Sequence, residues 1–410
     1  MDNTAILYRT RLIILYMNLK LMTNILSKYA RHLIVLTWLF TTIFYLKIFG
    51  IVTHAEAEKY ITEAQRFSNT ATLSAPRYWF YSITIFIIAI ALKIKIGLTG
   101  AFVLQSLLNL FAFLFFYNEL KKIFQISLTA FFITILLLIF WPYQSWVVYL
   151  YSESAFFSLI LILFAVLIRY KPDSLKNILL ISLALMLVIL ARPLGILFTA
   201  SVYTYFFYYA GKKWKIVLGV ISALIALFVF YVVNTIFSTI SDWSIIKPFI
   251  QESIICDLPT TTPSNIKLDL AEGGTPIYQL YYYVTHNLFH FLHFCDVKLK
   301  YFFLMTRPYY SRLHNYSLLI VNLTVYLLFL GSFFTKQATY SKKLNVFLLT
   351  SIAMYTLSII FQCDDYHNRF ILSIYPFFII LAAKTAEFIA VSFWRKKNQV
   401  PGSDTEERNS

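Results

Sequence analysis

Long apolar runs recur along this chain, and they constrain its fold more than any other feature. They fall near residues 32–52, 79–96, 99–117, 126–141, 155–168, 178–190, 196–209, 216–237, 316–334, 344–361 and 370–393. A helix rises about 1.5 Å per residue, so roughly 20 apolar residues match the ~30 Å hydrocarbon core of a bilayer. Only 13% of the 410 residues are charged and 59% are apolar. A soluble domain carries about a quarter charged residues. The runs predict an all-α polytopic membrane protein, one helix bundle of about 10–11 spans with no separate soluble domain.

The net charge of +16 would suggest nucleic acid in a soluble protein. Here the basic residues sit in short clusters between the runs: Lys121 and Lys122; Arg169, Lys171 and Lys176; Lys212, Lys213 and Lys215; Lys336, Lys342 and Lys343; Arg395, Lys396 and Lys397. Such clusters mark cytoplasmic loops under the positive-inside rule, so nucleic acid is not implied. Residues 1–31, with Arg9, Arg11, Lys20, Lys28 and Arg31, are then cytoplasmic. Residues before Met17 or Met22 differ in character from the rest, which makes either methionine a candidate start. No cleaved signal peptide is read at the N-terminus.

Residues 32–393 form the transmembrane unit, with outer loops at 53–78 and 238–315, and 394–410 read as a disordered cytoplasmic tail. Inside and outside alternate consistently from residue 121 onward. Between the outer loop at 53–78 and the basic pair at 121 lie two runs, where parity needs an odd number. One of the two, with 97–119 the first candidate, is then an incomplete crossing, and the sequence leaves open which.

On this topology the unusual polar residues gather on the outer face: Glu56, Glu58, Arg77, Glu153, Arg192, Asp364, Asp365, His367 and Arg369. Ionisable groups near membrane depth are costly and tend to line a cavity or pathway. An interfacial helix over 55–67 puts Ala57, Tyr60, Ala64 and Phe67 on one face. At about 100° per residue, Glu56 lies roughly 60° from the centre of that face and Glu58 roughly 140°. Glu56 therefore borders the buried side, and Glu58 points to water. At Arg192-Pro193-Leu194-Gly195 the proline ends or kinks a helix, and the planar guanidinium fork of Arg192 suits a phosphate or a headgroup. Glu153, at the outer start of a span, reads equally as a first-turn acid or as a site residue.

Metal is not expected. Asp364, Asp365 and His367 are donors of the right kind, but adjacent side chains on a turn diverge and no third ligand is spaced nearby. His286, His290 and His293 share one helical face beside Cys295 and Asp296, and an aromatic belt at the membrane interface accounts for that segment more simply than zinc. It reads as an interfacial wall or lid over the outer site. Cys256, Cys295 and Cys363 form no metal-ligand spacing, and a Cys256–Cys295 bridge is compatible with an outer location.

Five stretches taken in order carry a resemblance: Glu56-Ala57-Glu58-Lys59-Tyr60 with Ala64; Pro76-Arg77-Tyr78-Trp79-Phe80-Tyr81; Tyr151-Ser152-Glu153-Ser154; Ala191-Arg192-Pro193-Leu194-Gly195; and His367-Asn368-Arg369-Phe370 with Tyr375-Pro376. Over most of residues 32–392 the chain resembles the GT-C superfamily of membrane glycosyltransferases, the group of the protein O-mannosyltransferases and aminoarabinose transferases. That family most often has Asp where this chain has Glu56.

The resemblance implies a GT-C-type bundle and a multi-pass enzyme of the bacterial inner membrane with a periplasm-facing site. The donor would be a polyprenyl-phosphate-linked sugar and the acceptor a glycan, lipid or protein. Glu56 would be the general base, Arg192, Arg369 or Arg77 would bind the phosphate, and Glu58, Glu153 and Asp365 are further candidate acids. No cofactor is implied. Two other classes are weighed against it. A polysaccharide polymerase or ligase would lean on basic residues in the large outer loop, which carries few. A lipid-linked-glycan transporter would place its polar residues at the bilayer midplane and show repeated halves.

Overall fold

A computed structural model describes residues 3–239, 246–255, 266–335, 342–364 and 367–398. Sixteen helices follow one another among them. They are α1 (Asn3–Phe49), α2 (Glu56–Thr70), α3 (Ser82–Lys93), α4 (Gly97–Leu120), α5 (Ser127–Ile139), α6 (Trp141–Gln144), α7 (Ser152–Arg169) and α8 (Leu175–Ala191). The second half holds α9 (Leu197–Tyr209), α10 (Lys212–Thr239), α11 (Lys247–Ile250), α12 (Pro276–His286), α13 (Leu288–Leu304), α14 (Arg312–Gly331), α15 (Lys342–Phe361) and α16 (Arg369–Asn398). Extended pairing among the described residues is limited to two isolated bridges, Val52 with Tyr149 and Ile255 with Asp364. The protein is all-α and polytopic.

Every apolar run becomes a helix, but the helices differ in reach. Among the described residues, six are long and apolar enough to cross a bilayer: residues 26–49 of α1, then α4, α7, α14, α15 and residues 369–392 of α16. A seventh crossing arises if α5 and the segment Trp141–Val148, bent by 69°, count as one. Among the described residues, six or seven of the expected 10–11 full spans are therefore found, and α3, α8 and α9 fall short of one. The physical reason is local. Pro142 opens the bend after α5, Pro193 stops α8, and α3 and α9 are only 12 and 13 residues long.

Cross-helix hydrogen bonds fix the direction of each pass. At one end, Arg31 Nε donates to Asn118 Oδ1 (3.0 Å), Ser27 meets Ser127 (3.2 Å), and the Ile126 N–H donates to Glu387 Oε1 (2.7 Å). Lys122 pairs with Glu119, and Lys343 lies over the ring of Tyr209. Arg169, 3.9 Å from Glu119, joins this basic end. At the other end, Val52 pairs with Tyr149, and Gln105 Nε2 donates to the Tyr149 carbonyl at 2.8 Å. So α4 starts where α1 finishes and runs back to the basic end. It is α4 that crosses, and α3 at about 18 Å cannot. The incomplete crossing is the run at 79–96, not the one at 97–119, and parity closes.

α7 is the central helix, buried continuously from Ser152 to Leu161. Its neighbours surround it on all sides, so it contributes to the core of the bundle and not to a lipid-facing wall. It packs on α4 and α8, while α9 packs on α15 and α14 on α16. Outside this bundle, α11, α12 and α13 share a small second core of Ile246, Phe249, Tyr283 and Phe294.

Candidate functional site

Four chain segments meet at the end opposite the basic clusters, and each brings one charge. Glu56 is the first residue of α2, Glu153 the second of α7, Arg369 the first of α16, and Arg192 the residue that closes α8. The two carboxylates sit in first helical turns, where the helix dipole favours negative charge. Arg192 is placed by the break that follows it. Gly195 folds tightly over the end of α8, its N–H donating to the Arg192 carbonyl at 2.8 Å. A Cβ there would come within 2.4 Å of the Val188 carbonyl oxygen, so this close approach requires glycine.

The four charges form one network. Arg192 pairs with Glu153. Arg369 pairs through one nitrogen with Glu56 and with Glu153, the latter at 2.5 Å. Lys59 Nζ and the Tyr60 hydroxyl both donate to Glu56 Oε1 at 2.8 Å. The guanidinium of Arg369 also lies 5.6 Å from the centre of the Trp146 ring. Depth grades across the cluster: the Glu153 side chain is wholly buried, Arg369 is 13% exposed and Glu56 is 20% exposed. Glu153 and Arg192 form the floor, and Glu56 and Arg369 form the mouth.

The electrostatics follow from that arrangement. Burial alone pushes the Glu56 carboxyl up. Arg369 and Lys59 outweigh it and hold the acid at about 2. Glu56 is thus a fixed anion while Arg369 stays beside it. Tyr60 is moved the other way. Burial, then the Glu56 and Glu153 carboxylates, raise its hydroxyl well above the ordinary tyrosine range, so it remains a donor.

The other residues singled out from the sequence lie elsewhere. Glu58 is exposed, on the side of α2 that its helical phase gives. Arg77 is exposed and stacks over Tyr78 at 5.1 Å, outside the network. Asp365 lies outside the described residues. Asp364 is fully buried against Arg307, and His367 packs edge-on to Trp146. The three histidines do not converge. His286 stacks on Tyr282, while His290 bonds Tyr283 and Glu252. No group of three or more His, Cys, Asp and Glu donors comes together among the described residues. The Cys256–Cys295 bridge is not formed, because Cys295 is a buried free thiol, while Cys363 is disulfide-bonded.

Comparison with protein-family models, curated proteins and solved structures finds no match. The geometry of the cluster therefore carries the functional reading.

Lys59, Tyr60, Ser152 and Trp146 belong to the cluster but were not picked out as site residues. Lys59 and Tyr60 had a usable signal, since positions three and four residues beyond Glu56 are its neighbours on a helix. Ser152, 3.4 Å from the Tyr60 hydroxyl, had none. The buried acid Glu63 was also missed. It accepts from the Ser74 N–H at 2.9 Å and from the Ser74 hydroxyl, closing the loop after α2.

Proposed function

We propose that this chain is a membrane glycosyltransferase that moves a sugar from a polyprenyl-phosphate donor to a hydroxyl acceptor at the outer face. The observation that carries the reading is the pair of arginines held between two carboxylates in a partly buried cluster at four helix ends. Guanidinium forks bind phosphate oxygens and carboxylates by the same two-bond geometry. A phosphate arriving on Arg369 and Arg192 would compete with Glu56 and Glu153 for the same donors.

Chemistry follows from that exchange. The acceptor oxygen attacks the anomeric carbon, and the bond from that carbon to the phosphate oxygen breaks. The lipid phosphate leaves with the electron pair, and its charge is met by Arg369 and Arg192. The acceptor proton goes to Glu56. With Arg369 occupied by phosphate, Glu56 loses its strongest neutralising partner and becomes more basic when a base is needed. Attack from the face opposite the phosphate inverts the anomeric centre. A disulfide at Cys363, six residues before Arg369, supports an oxidising compartment on this side. The position of the charges at helix ends, away from mid-span, favours a transferase over a transporter.

One other reading has a specific observation behind it. Each of the four charges already has a partner, so the network also suits a purely structural clasp between four helix ends. Isolated membranes supplied with labelled polyprenyl-phosphate sugars decide between them. Transfer of label to an acceptor is expected with wild type and lost with Glu56→Gln at unchanged protein level. No transfer from any donor in the panel, with the protein intact, leaves the clasp.

A further inference from the structure

The turn that carries Arg369 is held from behind by buried groups that the proposed chemistry does not use. Arg307 lies just beyond α13, and its Nη2 donates to Asp364 Oδ2 at 2.6 Å with both side chains fully buried. Its Nη1 donates to the carbonyls of Tyr301 (2.9 Å) and Thr306 (3.2 Å), which fixes the guanidinium to the end of α13. The Asp364 N–H donates in turn to the Ile254 carbonyl at 2.7 Å. Asn368, the residue before Arg369, has φ +61°, and its amide donates to the Met305 carbonyl at 2.9 Å. Two anchors on the same α13–α14 junction therefore bracket the turn that delivers Arg369 to the cluster.

Stability alone is a weak reason for such a pair. Apolar residues of similar volume often replace a buried ion pair at no cost or with a gain. A charged pair with several directed hydrogen bonds supplies something that apolar packing does not, which is one fixed direction for the chain. Here that direction decides whether Arg369 falls between Glu56, Glu153 and the Trp146 ring.

We infer that Arg307, Asp364 and Asn368 are positioning residues that set the place of the Arg369 guanidinium and, through it, the affinity of the site for a lipid phosphate. The second half rests on the transferase reading, and the first half does not. The test uses full-length protein in detergent. Trp146 emission is obtained as the difference between each protein and its Trp146→Phe partner, and farnesyl phosphate serves as the phosphate probe.

Asn368→Gly keeps the left-handed backbone and deletes only the amide anchor. It is expected to shift Trp146 emission toward that of Arg369→Gln while the thermal midpoint stays near wild type. It should also weaken farnesyl phosphate about tenfold, equivalent to about 1.4 kcal/mol. Asp364→Asn should act in the same direction, and if it does not fold, Asn368→Gly decides. Wild-type Trp146 emission in Asn368→Gly, where Arg369→Gln alters it, overturns the inference. So does Trp146 emission that ignores Arg369→Gln. If farnesyl phosphate fails to bind even wild type, the transferase reading falls, and the ligand-free Trp146 arm alone decides the positioning role.

Discussion

Glu56 and Glu58 are two residues apart and chemically alike, yet they lie in different surroundings. The difference was legible from helical phase, because Ala57, Tyr60 and Ala64 bury one side of α2 and Glu58 faces away from it. The partners of Glu56 were not legible. Arg369 is more than three hundred positions along the chain, and no local pattern in sequence reports a pairing of that range. Glu56→Gln keeps size and hydrogen bonding but removes the base, and should lower turnover by about 10²-fold or more. Glu58→Gln should stay near wild type. Steady-state rates with limiting acceptor check both, and an inert Glu56→Gln beside a dead Glu58→Gln would reverse the assignment.

Glu56 also makes a pH prediction with a definite sign. Its acidity in the folded protein is held near 2 against an ordinary 4.5. A depressed carboxyl stabilises the fold above its unfolded value and loses that contribution as pH falls through its folded value. Wild type should therefore lose stability between about pH 4.5 and pH 2, and Glu56→Gln should show a flatter profile there. Replacing Arg369 by Gln removes the largest lowering influence and moves the folded value back toward 4.5, so that variant should also show a flatter profile than wild type. Thermal midpoints across this range, in one detergent, are the measurement. Equal profiles for wild type and Glu56→Gln would mean that the pair is not formed.

At the level of elements, helix positions were readable because apolar runs and proline breaks report them directly. Helix reach was not. The run at 79–96 looks like a span by composition, but its first residues, Pro76–Tyr81, form a separate short 3-10 turn and leave α3 only 12 residues. The break after α8 is where an element and the site meet. Gly195 lets the chain turn back over Val188, and that turn presents Arg192 to Glu153. Gly195→Ala must displace backbone, since the new Cβ would sit 2.4 Å from a carbonyl oxygen. Overpacking of this kind costs about 1–3 kcal/mol. The expected result is a lower thermal midpoint together with a raised KM for the donor, because Arg192 moves with the turn. A variant that melts lower but keeps its donor KM would detach Arg192 from donor binding.

For the whole molecule, two ends with opposite character organise everything else. The basic end joins Arg31, Asn118, Glu119, Lys122, Arg169 and Glu387, and the other end joins the four charges of the cluster. Charge alternation made this division legible from residue 121 onward. It failed earlier in the chain, because composition cannot tell a short apolar hairpin arm from a span. The structure makes the disputed region testable. If α3 crossed in place of α4, Lys95 would lie on the basic side with Lys122. With α4 as the only crossing between them, Lys95 sits on the α2 side and Lys122 on the other. Both are exposed. Cys introduced at Lys95 and at Lys122, in a parent with Cys295 replaced by Ser, should react with an impermeant maleimide from opposite faces of sealed vesicles. Lys95→Cys should label together with Glu58→Cys. Labelling of Lys95→Cys and Lys122→Cys from the same face, opposite Glu58→Cys, would make α3 the crossing and α4 the incomplete one, with every later assignment unchanged. Crossing by both helices would label Lys95→Cys from the face opposite to both Glu58→Cys and Lys122→Cys, and it would put Glu56 and Glu153 on opposite sides of the bilayer, which their shared contact with Arg369 forbids.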